Sequence, residues 1–183
     1  MLMTRDDATL LIVDVQEKLY PALFNHADLS TRLAWLIGAA HEVGLPIVFT
    51  EQYPQGLGNT LPELRAQAAS APVIEKIFFS CVPEDKIDKP LRNREQVIVA
   101  GAETHICVLQ TVLELLDQDK SVFVVADACG SRRESNHEVA LLRMRDAGAM
   151  IVTREMVIYE LLRRAGTDTF KALSKKYFVG EQP

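Results

Sequence analysis

Three residue types that together could activate a thiol sit at the ends of apolar runs. They are Asp14 in Leu11-Ile12-Val13-Asp14-Val15-Gln16, Lys76 in Val73-Ile74-Glu75-Lys76, and Cys107 in Val97-Ile98-Val99-Ala100-Gly101-Ala102-Glu103-Thr104-His105-Ile106-Cys107. The last stretch reads as a buried strand that breaks into a polar turn and places the cysteine where a helix begins. The unpaired N–H groups and positive dipole end of a helix both favour a thiolate, so Cys107 is expected to titrate below the ordinary thiol value. Lys76 would favour the thiolate further, while Asp14 can take the thiol proton and later protonate a leaving group. An aspartate within an apolar strand is costly without a cation or donor, and Lys76 can supply the cation. Taken singly, each residue has a plainer role: a small core cysteine, a solvated carboxylate, a surface lysine. Their chemistry depends on the fold bringing them together.

The elements that must do this are short apolar, β-branched runs at Thr9–Val13, Leu45–Phe49, Pro72–Ile74, Gln96–Ala100, Ser121–Val125 and Met150–Val152. These runs are nearly continuous rather than alternating, as strands covered on both faces are, and helical spacing fills the intervals. Leu33, Leu36, Ile37 and Ala40 mark one helix face, Val108, Val112, Leu115 and Leu116 a second, and Val139, Leu142 and Met144 a third. The repetition is βαβ, which predicts a parallel α/β sheet of six strands in one domain spanning residues 1–183. Ligands in such sheets bind beyond the carboxyl ends of the strands, where strand order reverses. Two stretches break the rhythm. Glu51 to Ser70 carries Pro54, Gly56, Gly58 and Pro62, a long loop with a helical turn at Pro62–Gln67 that should cover something. Glu155 to Phe178 reads as two short helices around Ala165-Gly166-Thr167-Asp168, with Phe170, Leu173 and Tyr177 on one face.

Composition narrows the function classes. The chain has 183 residues, 48% hydrophobic and 25% charged, which is ordinary for a globular protein able to bury a sizeable core. A net charge of −5 gives no general attraction to phosphate backbones or anionic membranes, so neither nucleic acid nor membrane is an expected partner. The three cysteines, Cys81, Cys107 and Cys129, are odd in number and form no CxxC, which suggests neither a disulfide framework nor structural zinc. The first apolar run is too short for a signal segment or a membrane span, and a cytoplasmic location is expected.

The chain resembles the isochorismatase-like (cysteine hydrolase) superfamily from its first strand to its last helix. The matching pieces are Leu11–Gln16, the lysine of Glu75-Lys76, Gly101–Val108 with Gln110-Thr111, and Val125-Ala126-Asp127-Ala128-Cys129-Gly130-Ser131-Arg132. His137-Glu138, Ala140-Leu141, Arg143-Met144 and Gly148-Ala149 are similar as well. Thr50-Glu51-Gln52-Tyr53-Pro54, Gly56-Leu57-Gly58 and Phe79-Ser80 look like the branch that includes the isochorismatase-domain-containing proteins. The resemblance implies a three-layer α/β/α fold with strand order 3-2-1-4-5-6 and a catalytic triad of Asp14, Lys76 and Cys107. It also implies a cis peptide between Ala102 and Glu103 and an oxyanion hole formed by the N–H groups of Glu103 and Cys107.

Departures from the family pattern are informative too. Metal-dependent nicotinamidases of the superfamily place an aspartate and two histidines after the second strand, where this chain reads Thr50-Glu51-Gln52-Tyr53-Pro54. The four histidines show no close ligand spacing, so no metal or other cofactor is expected. Isochorismatases proper can act on a vinyl ether without the cysteine, so Cys107 points instead to acyl transfer through a thioester on a small amide or carbamoyl substrate. Vinyl-ether hydrolysis by Asp14 and Lys76, or a non-catalytic binding or redox-sensing module, are the alternatives. Gln16, Phe24, Gln52, Tyr53, Phe78 and His105 are candidates to line the substrate pocket. The adjacent Arg132 and Arg133 read as a solvated face, and a homo-oligomer is expected.

Overall fold

In the computed structural model, which describes residues 1–84, 87, 91 and 93–179, every expected apolar run is a strand. They are β1 (Ala8–Val13), β2 (Ile47–Gln52), β3 (Val73–Lys76), β4 (Gln96–Ala102), β5 (Ser121–Gly130) and β6 (Met150–Val152). All pair in parallel in the order β3-β2-β1-β4-β5-β6. Successive residues of a strand point to opposite faces, and here both faces are covered, which explains why the runs lack polar alternation. Leu10, Ile12 and Phe49 pack with Leu29, Leu33, Leu36 and Ile37 of α1 (His26–Glu42). On the other face Leu11, Val13 and Val99 pack with Val112 and Leu115 from the helix downstream of β4.

The helices in chain order after α1 are α2 (Pro54–Leu57), α3 (Pro62–Gln67), α4 (Leu109–Asp117), α5 (Glu134–Asp146), α6 (Arg154–Leu162) and α7 (Asp168–Leu173). One expected face is corrected. Along α5 the inward row is Ala140 and Met144, four residues apart, while Val139 and Leu142 fall on the exposed side of the 3.6-residue period. The tail does fold back: Leu173 and Tyr177 are buried, and the Trp35 indole donates to the Tyr177 carbonyl at 2.9 Å. Gly38 makes room for it, since a β-carbon there would stand 2.8 Å from the Tyr177 hydroxyl oxygen. No helix among the described residues is long and apolar enough to cross a membrane.

The chain lays β2 and then β3 outward from one edge of β1 and returns to place β4 against the other, which makes the gap between β1 and β4 the point of reversal. Val13 is flanked there by Thr50 and Gly101. Gly101 has φ +136°, and a β-carbon on it would lie 2.2 Å from the Val13 carbonyl oxygen, so no larger residue permits this approach. The close contact brings the residue after β1 and the turn after β4 side by side.

Candidate active site

Asp14 follows β1 with φ +50°, and its carboxylate is completely buried. Burial on this scale demands partners. The Thr50 hydroxyl donates to Oδ1 at 2.7 Å, and Lys76 Nζ lies 2.6 Å from Oδ2. Lys76 closes β3 and is equally buried, its ammonium donating also to Gln52 Oε1 at 2.7 Å and to the Phe78 and Phe79 carbonyls at 3.2 and 2.8 Å. The lysine is therefore immobilised by three neutral acceptors and one charge. Asp14 Oδ2 is held in ionic contact by Lys76, and the carboxylate is close enough to the Cys107 thiol to act on its proton.

Cys107 stands in a π-helical turn, Thr104–Val108, that leads directly into α4, and it is 4% exposed. The thiol differs from the thiolate expected of a helix start. Burial pushes its pKa well above the ordinary value, the nearby Asp14 carboxylate pushes it further, and Lys76 opposes both. The ammonium is already in contact with Asp14, so the pair offers the thiol little net positive charge. Cys81 and Cys129 are buried too, and burial pushes each up to about 12.

The turn between β4 and Cys107 also departs from expectation. The described residues contain no cis peptide bond; the chain reverses at Glu103, a non-glycine residue with φ +55°. The Glu103 side chain is buried, with Arg132 Nε 2.7 Å from Oε1 and His105 Nδ1 3.3 Å from Oε2. His105 Nδ1 also lies 3.1 Å from the Ser131 hydroxyl, and Thr104 Oγ1 lies 3.0 Å from Nδ1 of His137, whose pKa burial lowers.

The candidate pocket residues divide. Gln16 is fully buried and staples the loop: its amide donates to the Gln52 and Gly58 carbonyls at 3.0 and 2.7 Å and accepts from the Gln52 N–H at 2.7 Å. Gln52 links the lysine to the Ile77 carbonyl, donating there at 2.8 Å. Tyr53 and Phe78 are exposed at the end of the sheet, beside Lys76 in sequence or register. Phe24 lines a cavity of about 640 Å³ with Asp28, Arg32, Asp127 and His137 but without Asp14, Lys76 or Cys107, and it adjoins the Cys107 turn through its N–H to the Ser131 carbonyl and its ring 5.9 Å from that of His137. Two supporting residues lie in the Thr50–Pro54 stretch that carries the family resemblance, but nothing in that stretch assigns them a role. Thr50 is visible only through its register opposite Val13, and Glu51, reading as loop, turns its carboxylate inward to accept from the Thr60 N–H at 2.6 Å and hydroxyl at 2.8 Å.

Comparison with known proteins gives the chain its relatives. The family model "Isochorismatase domain" matches residues 8–156. Mouse isochorismatase domain-containing protein 2A is 39% identical over 173 residues, covering 93% of this chain and 82% of that protein. The structure of MAR1 ribonuclease from Caenorhabditis elegans superposes with a TM-score of 0.93 at 33% identity, covering 100% of this chain and 95% of that one. The YcaC gene product of Escherichia coli, described as an octameric hydrolase of unknown specificity, superposes with a TM-score of 0.89 at 28% identity, over 97% of this chain and 91% of that one.

Proposed function

The chain belongs to the isochorismatase family, and from that premise we propose that it is a cytoplasmic cysteine hydrolase that cleaves a small amide or carbamoyl compound through a thioester, without a metal ion. The observation that favours this reading is the fully buried Asp14 carboxylate, held 2.6 Å from Lys76 and close enough to the Cys107 thiol for its charge to be felt there. As Sγ attacks the carbonyl carbon, the S–H proton passes to Asp14 and the carbonyl oxygen takes up the negative charge. Two backbone N–H groups, of Glu103 and Cys107, stabilise that oxygen. Collapse breaks the C–N bond, Asp14 returns the proton to the departing nitrogen, and a thioester is left on Cys107. Water then attacks with Asp14 again as base; the C–S bond breaks, the acid leaves and the thiol regains its proton. Lys76, 2.6 Å from Oδ2, holds Asp14 in place through both half-reactions.

A homo-oligomer belongs to the same reading. The E. coli relative is octameric, and Ile77, Phe78 and Phe79 leave apolar surface exposed directly after Lys76. The ribonuclease activity named for the C. elegans relative would act on a polyanion, for which a chain of net charge −5 offers no general attraction.

The test is ammonia release from a panel of primary amides, ureas and carbamoyl compounds by the wild type and Cys107→Ala. Turnover of at least one compound is expected, with a loss of roughly 10³-fold or more in the variant, because the covalent route disappears. Ammonia release that survives Cys107→Ala would overturn the thioester, since water activated by Asp14 would then have to attack the carbonyl directly.

A further inference from the structure

Arg132 reads in the sequence as a solvated residue, and its side chain is indeed 55% exposed. Its Nε nevertheless lies 2.7 Å from Oε1 of Glu103, whose side chain is only 4% exposed. The other Glu103 oxygen is buried without a hydrogen-bond partner; His105 Nδ1, 3.3 Å from it, also lies 3.1 Å from the Ser131 hydroxyl. Arg132 thus makes the short contact that fixes this carboxylate. The contact exists because of an irregularity in the sheet. Val99 faces Val124 but Gly101 faces Cys129, so β5 inserts extra residues and brings Gly130 opposite Ala102, next to Glu103. Arg132, two residues further on, then reaches Glu103 from the end of the neighbouring strand.

Glu103 itself sits at φ +55°, a conformation that a residue with a β-carbon leaves readily unless its surroundings hold it. Its backbone N–H donates to no group among the described residues. A free donor on a strained residue is useful only while the strain is maintained. We propose that Arg132 is a positioning residue: by clamping the Glu103 side chain across the ends of β4 and β5, it keeps the Glu103 N–H directed at the acyl oxygen of a substrate on Cys107. This inference rests on the thioester reading above. It separates two properties of the site, since the oxyanion donor needs the clamp whereas the thiol and its base, held by Thr50 and Lys76, do not.

Two reagents distinguish these properties. p-Nitrophenyl acetate transfers its acetyl group to a thiol through an oxyanion, with p-nitrophenolate leaving; iodoacetamide reacts by displacing iodide at a saturated carbon and develops no oxyanion. Rates of both at Cys107 would be followed by peptide mass spectrometry in the wild type, Arg132→Ala, Arg132→Lys and Glu103→Gln. Loss of one such donor commonly costs about 10²–10³-fold, and a loosened donor should cost less. Arg132→Ala is expected to slow acetylation roughly 30-fold while alkylation changes less than about threefold, with Arg132→Lys recovering much of the acetylation rate. Glu103→Gln keeps the side-chain shape but removes the charge, and should show the same selective loss in smaller degree. Equal loss in both reactions, or no loss in either, would overturn the proposal. A wild type that fails to acetylate Cys107 at all would instead overturn the thioester reading, and the clamp with it.

Discussion

Asp14→Asn should slow amide hydrolysis by about 10³-fold and yet make Cys107 alkylate faster at neutral pH. The two effects have one origin. In the wild type burial raises the thiol pKa, the Asp14 carboxylate raises it further, and Lys76 opposes both. Removing the negative charge leaves Lys76 without its counter-ion, so the thiolate becomes the next available partner for the ammonium and forms at lower pH. The midpoint of the iodoacetamide rate against pH therefore moves down in the variant. Turnover falls all the same, because an asparagine can neither take the proton from the attacking thiol nor return it to the departing nitrogen. A parallel fall in both rates would mean that Asp14 merely holds the site together.

Lys76→Met should be the most destabilising single substitution in the site, costing about 3–5 kcal/mol. It leaves the Asp14 carboxylate fully buried with Thr50 as its surviving donor. It also frees the Phe78 and Phe79 carbonyls and Gln52, which the ammonium now holds. The double variant Asp14→Asn/Lys76→Met removes both charges, and urea unfolding should show it closer to the wild type than Lys76→Met alone. Additive losses in the double-mutant cycle would argue against direct coupling of the pair.

Much of this was legible in the residues, for identifiable reasons. Near-continuous runs such as Leu10-Leu11-Ile12-Val13 can only be strands buried on both sides, and the two core clusters take alternate residues of each. Pro62–Gln67 was readable as a helical turn because proline starts helices. Strand order came from the family resemblance, since hydrophobic pattern alone does not say on which side of β1 the fourth strand returns. What escaped notice depends on contacts between distant segments. The Arg132 partnership with Glu103 requires a register jump in β5 that no local pattern announces. The raised pKa of the Cys107 thiol depends on its depth of burial and on the Asp14 charge beside Lys76, and neither can be read from a cysteine at a helix start. Gln16 and Gln52, which looked like pocket amides, are engaged by the backbone and the lysine. Val139 and Leu142 illustrate the limit of periodicity on a short amphipathic helix, where a row one position away from the core is exposed.

The nucleophile itself can be identified in a single experiment. Wild-type protein mixed with p-nitrophenyl acetate at neutral pH and quenched in acid within the first turnover should carry one acetyl group, mapped by peptide mass spectrometry to Cys107, with Cys81 and Cys129 unmodified. The adduct should disappear in Cys107→Ala. Acetylation spread over all three cysteines, or absent from Cys107 while ester is consumed, would contradict a thioester enzyme built on Asp14, Lys76 and Cys107.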